Sequence, residues 1–399
     1  MKIIFYCQHV LGVGHLFRSL EICNALADHE ILLLSGGPHI EMDIPKHVEV
    51  VRLPELQMDN GFKGLFSSNS HTSLDQIKEQ RQKQLFALFK NEKPDLFLVE
   101  LYPFGRKAFR FELDPLLSSL RNQQPSTCRV VCSVRDVLVE KEDQQKHEGR
   151  AVDTLNRFFD AVLVHSDPKL IRIEETFLRH AEIRIPLFYT GYIAPKPPAD
   201  ARRQIRSRLE MTDKDLLIVV SAGGGSVGRL LLESAIRAFQ KFSGDSAARL
   251  LVYTGPYIDS QDFACLKSLA SPRVRVEKFT TEFLAYLAAA DLSISMGGYN
   301  TSMNILACGV PALVWPFGLN REQRLRARRL AERRALKILD DENLQPDRLA
   351  AIMTQALSEP HPGKLDIDLD GAASTARWLE GWVKKHKKTT KPRKKESTK

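Results

Sequence analysis

The chain has 399 residues, of which 43% are apolar and 27% charged, with 22 Gly and 20 Pro. This composition excludes a wholly disordered, collagen-like or coiled-coil chain, and the length predicts two domains. The net charge of +9 is concentrated in residues 384–399, which hold nine Lys/Arg and one Glu. Such tails are usually solvated and sometimes bind anionic lipid or RNA, so the near-neutral remainder predicts no specific nucleic-acid partner.

Cysteine spacing and hydropathy indicate the cellular compartment in which the protein acts. The six cysteines include no C-x-x-C pair, which predicts neither a disulfide framework nor a metal site. The first residues lack the successive regions of an export signal, and no apolar run approaches the ~18 residues of a membrane-spanning helix. We therefore expect a cytoplasmic protein whose membrane contact, if any, is peripheral and on the inner face.

Short apolar runs alternate with helical patterns along the chain. In the first half they span residues 3–7, 31–34, 96–99, 130–134 and 161–164. In the second half they span residues 216–220, 250–253, 274–276, 292–295 and 312–315, with helices at 228–242 and 321–334. Continuous rather than alternating apolar runs are typical of parallel strands that are covered by helices on both faces.

A proline-rich segment divides these two series. Residues 194–200 contain three prolines in four positions, which predicts a linker. The expected domains are 1–193, on the acceptor side, and 201–383, on the donor side. The last helix can pack back on the first domain, and residues 384–399 form a basic disordered tail. Ligands of such sheets bind beyond the carboxyl ends of the strands, so the cleft between the domains is the expected site.

The first strand leads into a turn that contains Gly12, Gly14, His15 and Arg18. The two glycines permit a tight turn and leave the helix amino terminus open to a ligand. Phe17 occupies the position of the third glycine of a dinucleotide fingerprint, so no nicotinamide or flavin cofactor is predicted. The helix dipole lowers the pKa of His15 below its usual value near 6.5, which keeps the imidazole neutral and suited to act as a general base. A structural role in the turn is the alternative.

Two further glycine turns lie in the second half. The segment Ser221–Ser226 contains Gly223, Gly224 and Gly225 between a strand and a helix, and residues 296–301 repeat that arrangement around Gly298. Glycines expose backbone N–H groups, and the helix dipole adds positive potential, so both turns suit a diphosphate. Either turn alone could be purely structural. Together they predict a phosphorylated ligand.

The stretch from residue 279 to 339 resembles the carboxyl-terminal domain of glycosyltransferase family 28, especially residues 296–301, 309–311 and 316–317. With the two earlier turns, the resemblance spans most of residues 1–357. It implies an α/β GT-B fold with two Rossmann-like parallel-sheet domains that face a central cleft. It also implies a nucleotide-sugar donor, a UDP-sugar, and metal-independent inverting transfer without a cofactor.

The resemblance also implies roles for individual positions. Residues at the donor diphosphate, base and sugar would be Gly224, Gly225, Ser226, Phe279, Gly298, Asn300, Thr301, Glu322 and Gln323. Asn304 departs from the family pattern because it stands where a Glu normally holds the nucleotide ribose. A carboxylate accepts from two hydroxyls, whereas an amide offers one acceptor and one donor, which puts the affinity for uridine in question.

The acceptor half departs further from the family. It lacks the family's His-Glu-Gln-Asn segment, so the acceptor, a glycan or a lipid-linked sugar, is not inherited from the resemblance. Glu100 and Asp136 follow predicted strands and serve as additional bases or as partners that orient His15. The segment 102–111 mixes aromatic residues with Arg106, Lys107 and Arg110, which suits an anionic membrane surface, although a buried helix face explains the pattern equally well.

Three classes of function fit these observations. The turn at residues 12–18 is similar to that of a nucleotide-sugar hydrolase, in which the matching His activates water. His15 could thus deprotonate either an acceptor hydroxyl or a water molecule. Sugar transfer is the leading hypothesis, hydrolysis of the nucleotide sugar is the second, and a non-catalytic nucleotide-sugar binder or scaffold is the third.

Overall fold

A computed structural model describes most of the chain. The described residues are 1–8, 14–37, 43–58, 64–67, 72–123, 128–138, 143–225, 227–242, 247–318, 321–360, 363 and 365–389, without the side chains of 386–389. They form two units. Unit 1 comprises Met1–Pro168, Arg172–Ile193 and the segment from Asp370 onward, and unit 2 comprises Lys169–Ile171 and Ala194–Leu369.

Unit 1 is built on a seven-stranded parallel sheet. Its strands are β1 (Lys2–Cys7), β2 (Glu30–Ser35), β3 (Val48–Arg52), β6 (Leu96–Glu100), β7 (Arg129–Arg135), β8 (Ala161–His165) and β9 (Leu187–Tyr189), and a small antiparallel pair is formed by β4 (Gln57–Met58) and β5 (Leu65–Phe66). The order across the sheet is β3-β2-β1-β6-β7-β8-β9. Its helices are α1 (Gly14–Ala25), α2 (Leu74–Glu92), α3 (Arg110–Asn122), α4 (Gln144–Phe158) and α12 (Gly371–Thr389).

Unit 2 repeats this plan with six parallel strands. They are β10 (Leu217–Ser221), β11 (Arg249–Tyr253), β12 (Val274–Glu277), β13 (Leu292–Ser295), β14 (Ala312–Val314) and β15 (Lys337–Ile338), in the order β12-β11-β10-β13-β14-β15. Its helices are α5 (Ala201–Arg208), α6 (Arg229–Lys241), α7 (Ser260–Lys267), α8 (Phe283–Ala289), α9 (Tyr299–Cys308), α10 (Arg321–Glu332) and α11 (Pro346–Ser358).

The burial of β1 explains why its apolar run is continuous. Ile4 and Tyr6 belong to the core on one face of the sheet, whereas Ile3, Phe5 and Cys7 belong to the core on the other. Successive side chains of a strand point to opposite faces, so a strand covered by helices on both sides has no solvent-facing position. None of the described helices is both long enough and apolar enough to cross a membrane.

The last helix, α12, packs against α1 in unit 1, so unit 2 ends at Leu369 and not at residue 383. Trp378 stacks on Phe188 and on Trp382, with ring centroids 5.4 and 5.1 Å apart. The N–H of Gly371 donates to the carbonyl of Tyr192 over 2.9 Å. The apolar face of α12 therefore completes the core of unit 1, which is the return that the sequence analysis allowed for this helix.

Candidate functional site

Each sheet reverses its strand order at one point, and several of the predicted site residues of that unit follow the strands there. In unit 1 the order reverses at β1, between β2 and β6. In unit 2 it reverses at β10, between β11 and β13. Connections leave to opposite faces at such a point, which opens a crevice beyond the carboxyl ends of the strands. His15 follows β1 and Glu100 ends β6, while the two glycine turns follow β10 and β13.

His15 and Glu100 form a direct pair in unit 1. The Nδ1 atom of His15 lies 2.7 Å from Oε1 of Glu100. The His15 side chain is 17% exposed, whereas the Glu100 carboxylate is fully buried. Two acceptors cannot approach so closely, so a proton on Nδ1 donates to the carboxylate and Nε2 keeps its lone pair. This arrangement suits a general base whose second nitrogen is held by an acid.

The electrostatic environment keeps His15 neutral and Glu100 ionised, as a general base and its partner require. Burial lowers the pKa of His15 from 6.5 to about 3; Glu100 opposes this change, while Arg106 and Arg18 reinforce it. Burial alone would raise the pKa of Glu100, but His15, Arg18 and Arg106 outweigh it and hold that pKa well below its usual range. The sequence predicted a lowered pKa for His15, yet its main cause is burial and not the helix dipole.

Arg18 joins this pair from the next turn of α1. One of its terminal nitrogens, Nη2, donates to Oε1 of Glu100 and lies 3.2 Å from Nδ1 of His15. From the sequence, Arg18 was predicted on the acceptor side, and no contact with Glu100 was predicted for it. Residues three apart on a helix face the same direction, so the His15–Arg18 spacing already indicated that the two side chains would meet. Gly14 begins α1, and Gly12 lies outside the described residues.

Asp136 has a different environment from Glu100. It is fully buried at the end of β7, and its Oδ1 accepts from the N–H of Val137 over 2.9 Å. The next strand carries a residue that the sequence analysis overlooked. His165 is fully buried, with its ring nitrogens 2.7 Å from Oγ of Ser133 and 2.9 Å from Oγ1 of Thr190. The pairing of β7 with β8 and of β8 with β9 brings these groups together, so no local motif could have revealed them.

The first glycine turn of unit 2 is closely packed on one side and open on the other. Gly223 and Gly225 have positive φ values of 69° and 89°. A Cβ atom on Gly225 would lie 2.5 Å from the carbonyl oxygen of Thr254, whereas one on Gly223 would meet nothing within 4 Å. A Cβ on Gly224 would touch only the Tyr257 ring, at 4.0 Å. The turn thus needs glycine for its shape and leaves backbone exposed to a ligand. Ser226 lies outside the described residues.

In the second glycine turn, too, one glycine is required by close packing and the next has open space beside it. Gly297 has a φ of 73°, and a Cβ there would lie 2.5 Å from Cγ1 of Val314. Gly298 precedes α9, and a Cβ on it would meet nothing within 4 Å. Asn300 and Thr301 are half-buried in the first turn of α9. Gly298, Asn300 and Thr301 therefore surround the positive end of a ten-residue helix.

The remaining predicted donor residues differ in what they can offer. Glu322 is buried, with Oε1 3.9 Å from Nη2 of Arg326. The side-chain oxygen of Gln323 accepts a hydrogen bond from the N–H of Phe317 over 3.1 Å. Phe279, after β12, is 39% exposed, and Asn304 is half-buried on α9.

The comparison with known families concerns the second unit. Residues 218–365 match the family described as "Glycosyltransferase family 28 C-terminal domain". The matched residues all lie within unit 2. The match contains β10, β13 and both glycine turns, so the resemblance seen in the sequence is confirmed for this part of the chain.

Sequence relatives extend the likeness beyond the family 28 domain. A protein of Desulforudis audaxviator (strain MP104C), named UDP-N-acetylglucosamine--N-acetylmuramyl-(pentapeptide) pyrophosphoryl-undecaprenol N-acetylglucosamine transferase, is 28% identical over 189 residues, 45% of this chain and 50% of that protein. The NDP-glycosyltransferase YjiC of Bacillus licheniformis is 24% identical over 328 residues, 77% of each chain. The chain spans about half the length of the first of these relatives.

Solved structures match both units. The calicheamicin glycosyltransferase CalG4 has a TM-score of 0.60 and 16% identity, covering 98% of this chain and 99% of its own. MurG of Acinetobacter baumannii has a TM-score of 0.53 and 16% identity, covering 97% and 100%. The expected fold class is therefore confirmed: the chain has the GT-B fold, with a Rossmann-like parallel sheet in each unit.

Proposed function

We propose that this protein is a glycosyltransferase that moves a sugar from a nucleotide-diphosphate donor, a UDP-sugar, to an acceptor hydroxyl. The observation that carries this proposal is the 2.7 Å pair of His15 and Glu100 at the point where the strand order of unit 1 reverses. The family 28 domain and the glycosyltransferase relatives support the choice of reaction class.

The proposed base is Nε2 of His15. It accepts the proton of the acceptor hydroxyl while that oxygen attacks the anomeric carbon of the sugar. The bond from this carbon to the diphosphate oxygen breaks, and the nucleoside diphosphate leaves. Glu100 and its hydrogen bond from Nδ1 stabilise the imidazolium that forms. A single displacement of this kind inverts the configuration at the anomeric carbon.

The proposed donor site is formed by the two glycine turns of unit 2. Gly224, Gly225 and Gly298 would bring backbone N–H groups to the diphosphate, and the amino terminus of α9 adds positive potential. Such fixed dipoles stabilise charge on a leaving group. We therefore propose transfer without a metal ion. Asn300, Thr301, Asn304, Glu322 and Gln323 would surround the diphosphate, ribose and sugar, with Phe279 near the base.

The acceptor and the cellular location of the reaction are also part of this proposal. The name of the Desulforudis audaxviator relative specifies a pyrophosphoryl-undecaprenol acceptor, which supports a lipid-linked or glycan acceptor on the inner face of the cytoplasmic membrane. The basic residues of 384–399 would add attraction to anionic lipid. The aromatic residues Tyr102, Phe104 and Phe109 are buried, so they favour the core explanation of that segment over lipid contact. Flotation with anionic liposomes tests the tail: recovery unchanged on deleting residues 384–399 would contradict its role.

The test of the proposed function is turnover of radiolabelled UDP-sugars by the full chain, with and without an acceptor extract from a bacterial membrane. We expect sugar transfer to a product of the extract, and His15→Gln should reduce turnover by about 10²–10⁴-fold, the usual contribution of a general base. His180→Gln is the matched control, since this half-buried imidazole contacts only a backbone carbonyl. Turnover that needs no acceptor would indicate hydrolysis, and donor binding without turnover would indicate a non-catalytic binder.

A further inference from the structure

Arg106 is a half-buried cation that the proposed base mechanism does not use. Its Nε atom is shielded from solvent and has no hydrogen-bond partner. Within the part of the chain that the structure describes, no hydrogen bond or ion pair reaches its guanidinium group. Desolvating a cation without a partner is unfavourable, and burial accordingly lowers the pKa of Arg106. The guanidinium group therefore has no direct hydrogen-bonded acid among the described residues, and the Glu100 carboxylate acts on it only through its charge.

The loop before Arg106 fixes the position of this group. Residues 101–106 lie between β6 and a single helical turn, residues 107–109, which leads into α3. Tyr102 and Phe104 are buried, Tyr102 donates to Asp114, and the imidazole Nε2 of His147 lies 3.0 Å from the carbonyl oxygen of Phe104. The loop is thus held by packing and hydrogen bonds.

The backbone at both ends of this loop is in an unfavourable conformation. Leu101 and Arg106 have φ values of 65° and 57°, a region that non-glycine residues seldom occupy. Such conformations are unfavourable and are concentrated at ligand sites. The strain therefore falls on the residue with the unpartnered guanidinium group and on Leu101, which directly follows Glu100.

Arg106 lies close to the proposed base. Its charge acts on Glu100, Cys7 and His15, and the group is near a second cation, Arg135. Arg18 differs from Arg106 because its guanidinium group already donates to Glu100. Of these two cations next to the His15–Glu100 pair, Arg106 is the one without an acid partner.

We propose that Arg106 binds an acid group, a phosphate or a carboxylate, of the molecule that reacts at His15. This inference rests on the proposed function and deepens it, because it restricts the ligand at this site to anions. The acid group would come from the acceptor or from the donor diphosphate, since the recognition chemistry of a guanidinium group is the same for both. A ligand without an acid group would leave Arg106 uncompensated.

Anion binding at Arg106 would also change the basicity of His15. The groups that act on His15 are Glu100, which raises its pKa, and Arg106 and Arg18, which lower it. An acid group on Arg106 cancels one of the two lowering charges, so the pKa of His15 rises toward the working pH. A base is most effective when its pKa is near that pH. The bound substrate would thus strengthen the base that it needs.

The test is NMR of the full chain with ¹⁵N-labelled histidine, because the His15 signal reports on unit 1 alone. Sodium phosphate, sodium acetate and UDP are titrated separately at constant ionic strength. We expect a saturable shift of the His15 signal and a higher His15 pKa with at least one of them. Arg106→Gln should weaken that binding by about tenfold or more, the usual weight of a hydrogen bond to a charged group. Arg184→Gln, an exposed arginine of unit 1, should leave the binding unchanged.

The three probes distinguish the source of the acid group, and the outcomes distinguish a failure of this proposal from a failure of the proposed function. A shift with phosphate or acetate indicates an acid group on the acceptor, and a shift with UDP alone indicates the donor. No shift with any probe, or equal shifts in Arg106→Gln and the parent chain, would overturn the proposal. Arg106→Lys, which keeps the charge, should retain part of the binding and show that loss in Arg106→Gln is not unfolding. A shift without sugar turnover would uphold Arg106 while the proposed function fails.

Discussion

Glu100 holds His15 by a 2.7 Å contact between Oε1 and Nδ1, and the two residues come from different strand–helix connections. His15 follows β1 and Glu100 ends β6, and these strands are adjacent in the sheet. The imidazole is therefore oriented by the sheet and not by its own turn. This relationship makes the role of each residue separately testable.

Replacing Glu100 by Gln is expected to lower kcat by up to about 10²–10⁴-fold, because an amide no longer favours the tautomer with a proton on Nδ1. Glu112→Gln is the matched control. Glu112 is also a fully buried carboxylate of unit 1, and it accepts from Nε of Arg81 over 2.7 Å. Both variants should lose about 3–5 kcal/mol of stability in urea, since each leaves a buried arginine uncompensated. Equal kcat values for the two would contradict the role of Glu100.

Acid should destabilise the fold from pH 6.5 downward. Burial lowers the pKa of both His15 and His165 from 6.5 to about 3. Between these values the unfolded chain binds protons that the folded chain does not, so the free energy of unfolding falls as the pH decreases. Each histidine contributes about 1.4 kcal/mol per pH unit in this range. Urea unfolding of His165→Asn between pH 6 and 4 should show a slope smaller by that amount, and an unchanged slope would mean that His165 is protonated in the folded chain.

A pair of neighbouring glycines separates ligand binding from folding. Gly225→Ala should destabilise unit 2, because its φ is positive and the new Cβ would lie 2.5 Å from the Thr254 carbonyl oxygen. Gly224→Ala should fold normally, since its nearest neighbour would be the Tyr257 ring at 4.0 Å. We expect Gly224→Ala to weaken UDP binding in calorimetry by about tenfold without lowering the melting temperature, because a methyl group obstructs the approach of phosphate to the backbone. Undiminished binding would remove the turn from the donor site.

Asn304 offers a gain-of-affinity test. This half-buried residue of α9 stands where the family resemblance implies a Glu that holds the ribose. Asn304→Glu should tighten UDP binding by about tenfold, since a carboxylate accepts hydrogen bonds from both ribose hydroxyls. Comparing UDP with 2′-deoxy-UDP provides the control, because the gain should shrink when one hydroxyl is missing. Equal gains for both nucleotides would place residue 304 away from the ribose.

The sequence predicted much of this fold because both sheets are buried on both faces. The ten apolar runs correspond to ten strands of the structure, within one residue at each end. Five described strands were not predicted. They are the short antiparallel pair β4 and β5 and the edge strands β3, β9 and β15, where exposed or half-buried positions interrupt the apolar run. The apolar pattern could not signal them because such strands are not covered on both faces.

The candidate site was predictable only in part. His15 and the glycine turns are visible as local motifs, but the contacts of Glu100 and Arg18 depend on β1 lying beside β6. Arg106 was assigned to a basic and aromatic segment, whereas its importance lies in a guanidinium group without a partner. Such a property belongs to the folded chain, because the lack of a hydrogen-bond partner for Nε of Arg106 is not encoded in any short motif.

The most direct test of the account is the ¹⁵N spectrum of His15 in the full chain, recorded from pH 7 to pH 4. We expect a neutral imidazole throughout this range, with the proton on Nδ1 and the lone pair on Nε2. Glu100→Gln should shift the population toward the other tautomer. An imidazolium at pH 7, or a neutral ring with its proton on Nε2, would contradict the claim that His15 is a base oriented by Glu100.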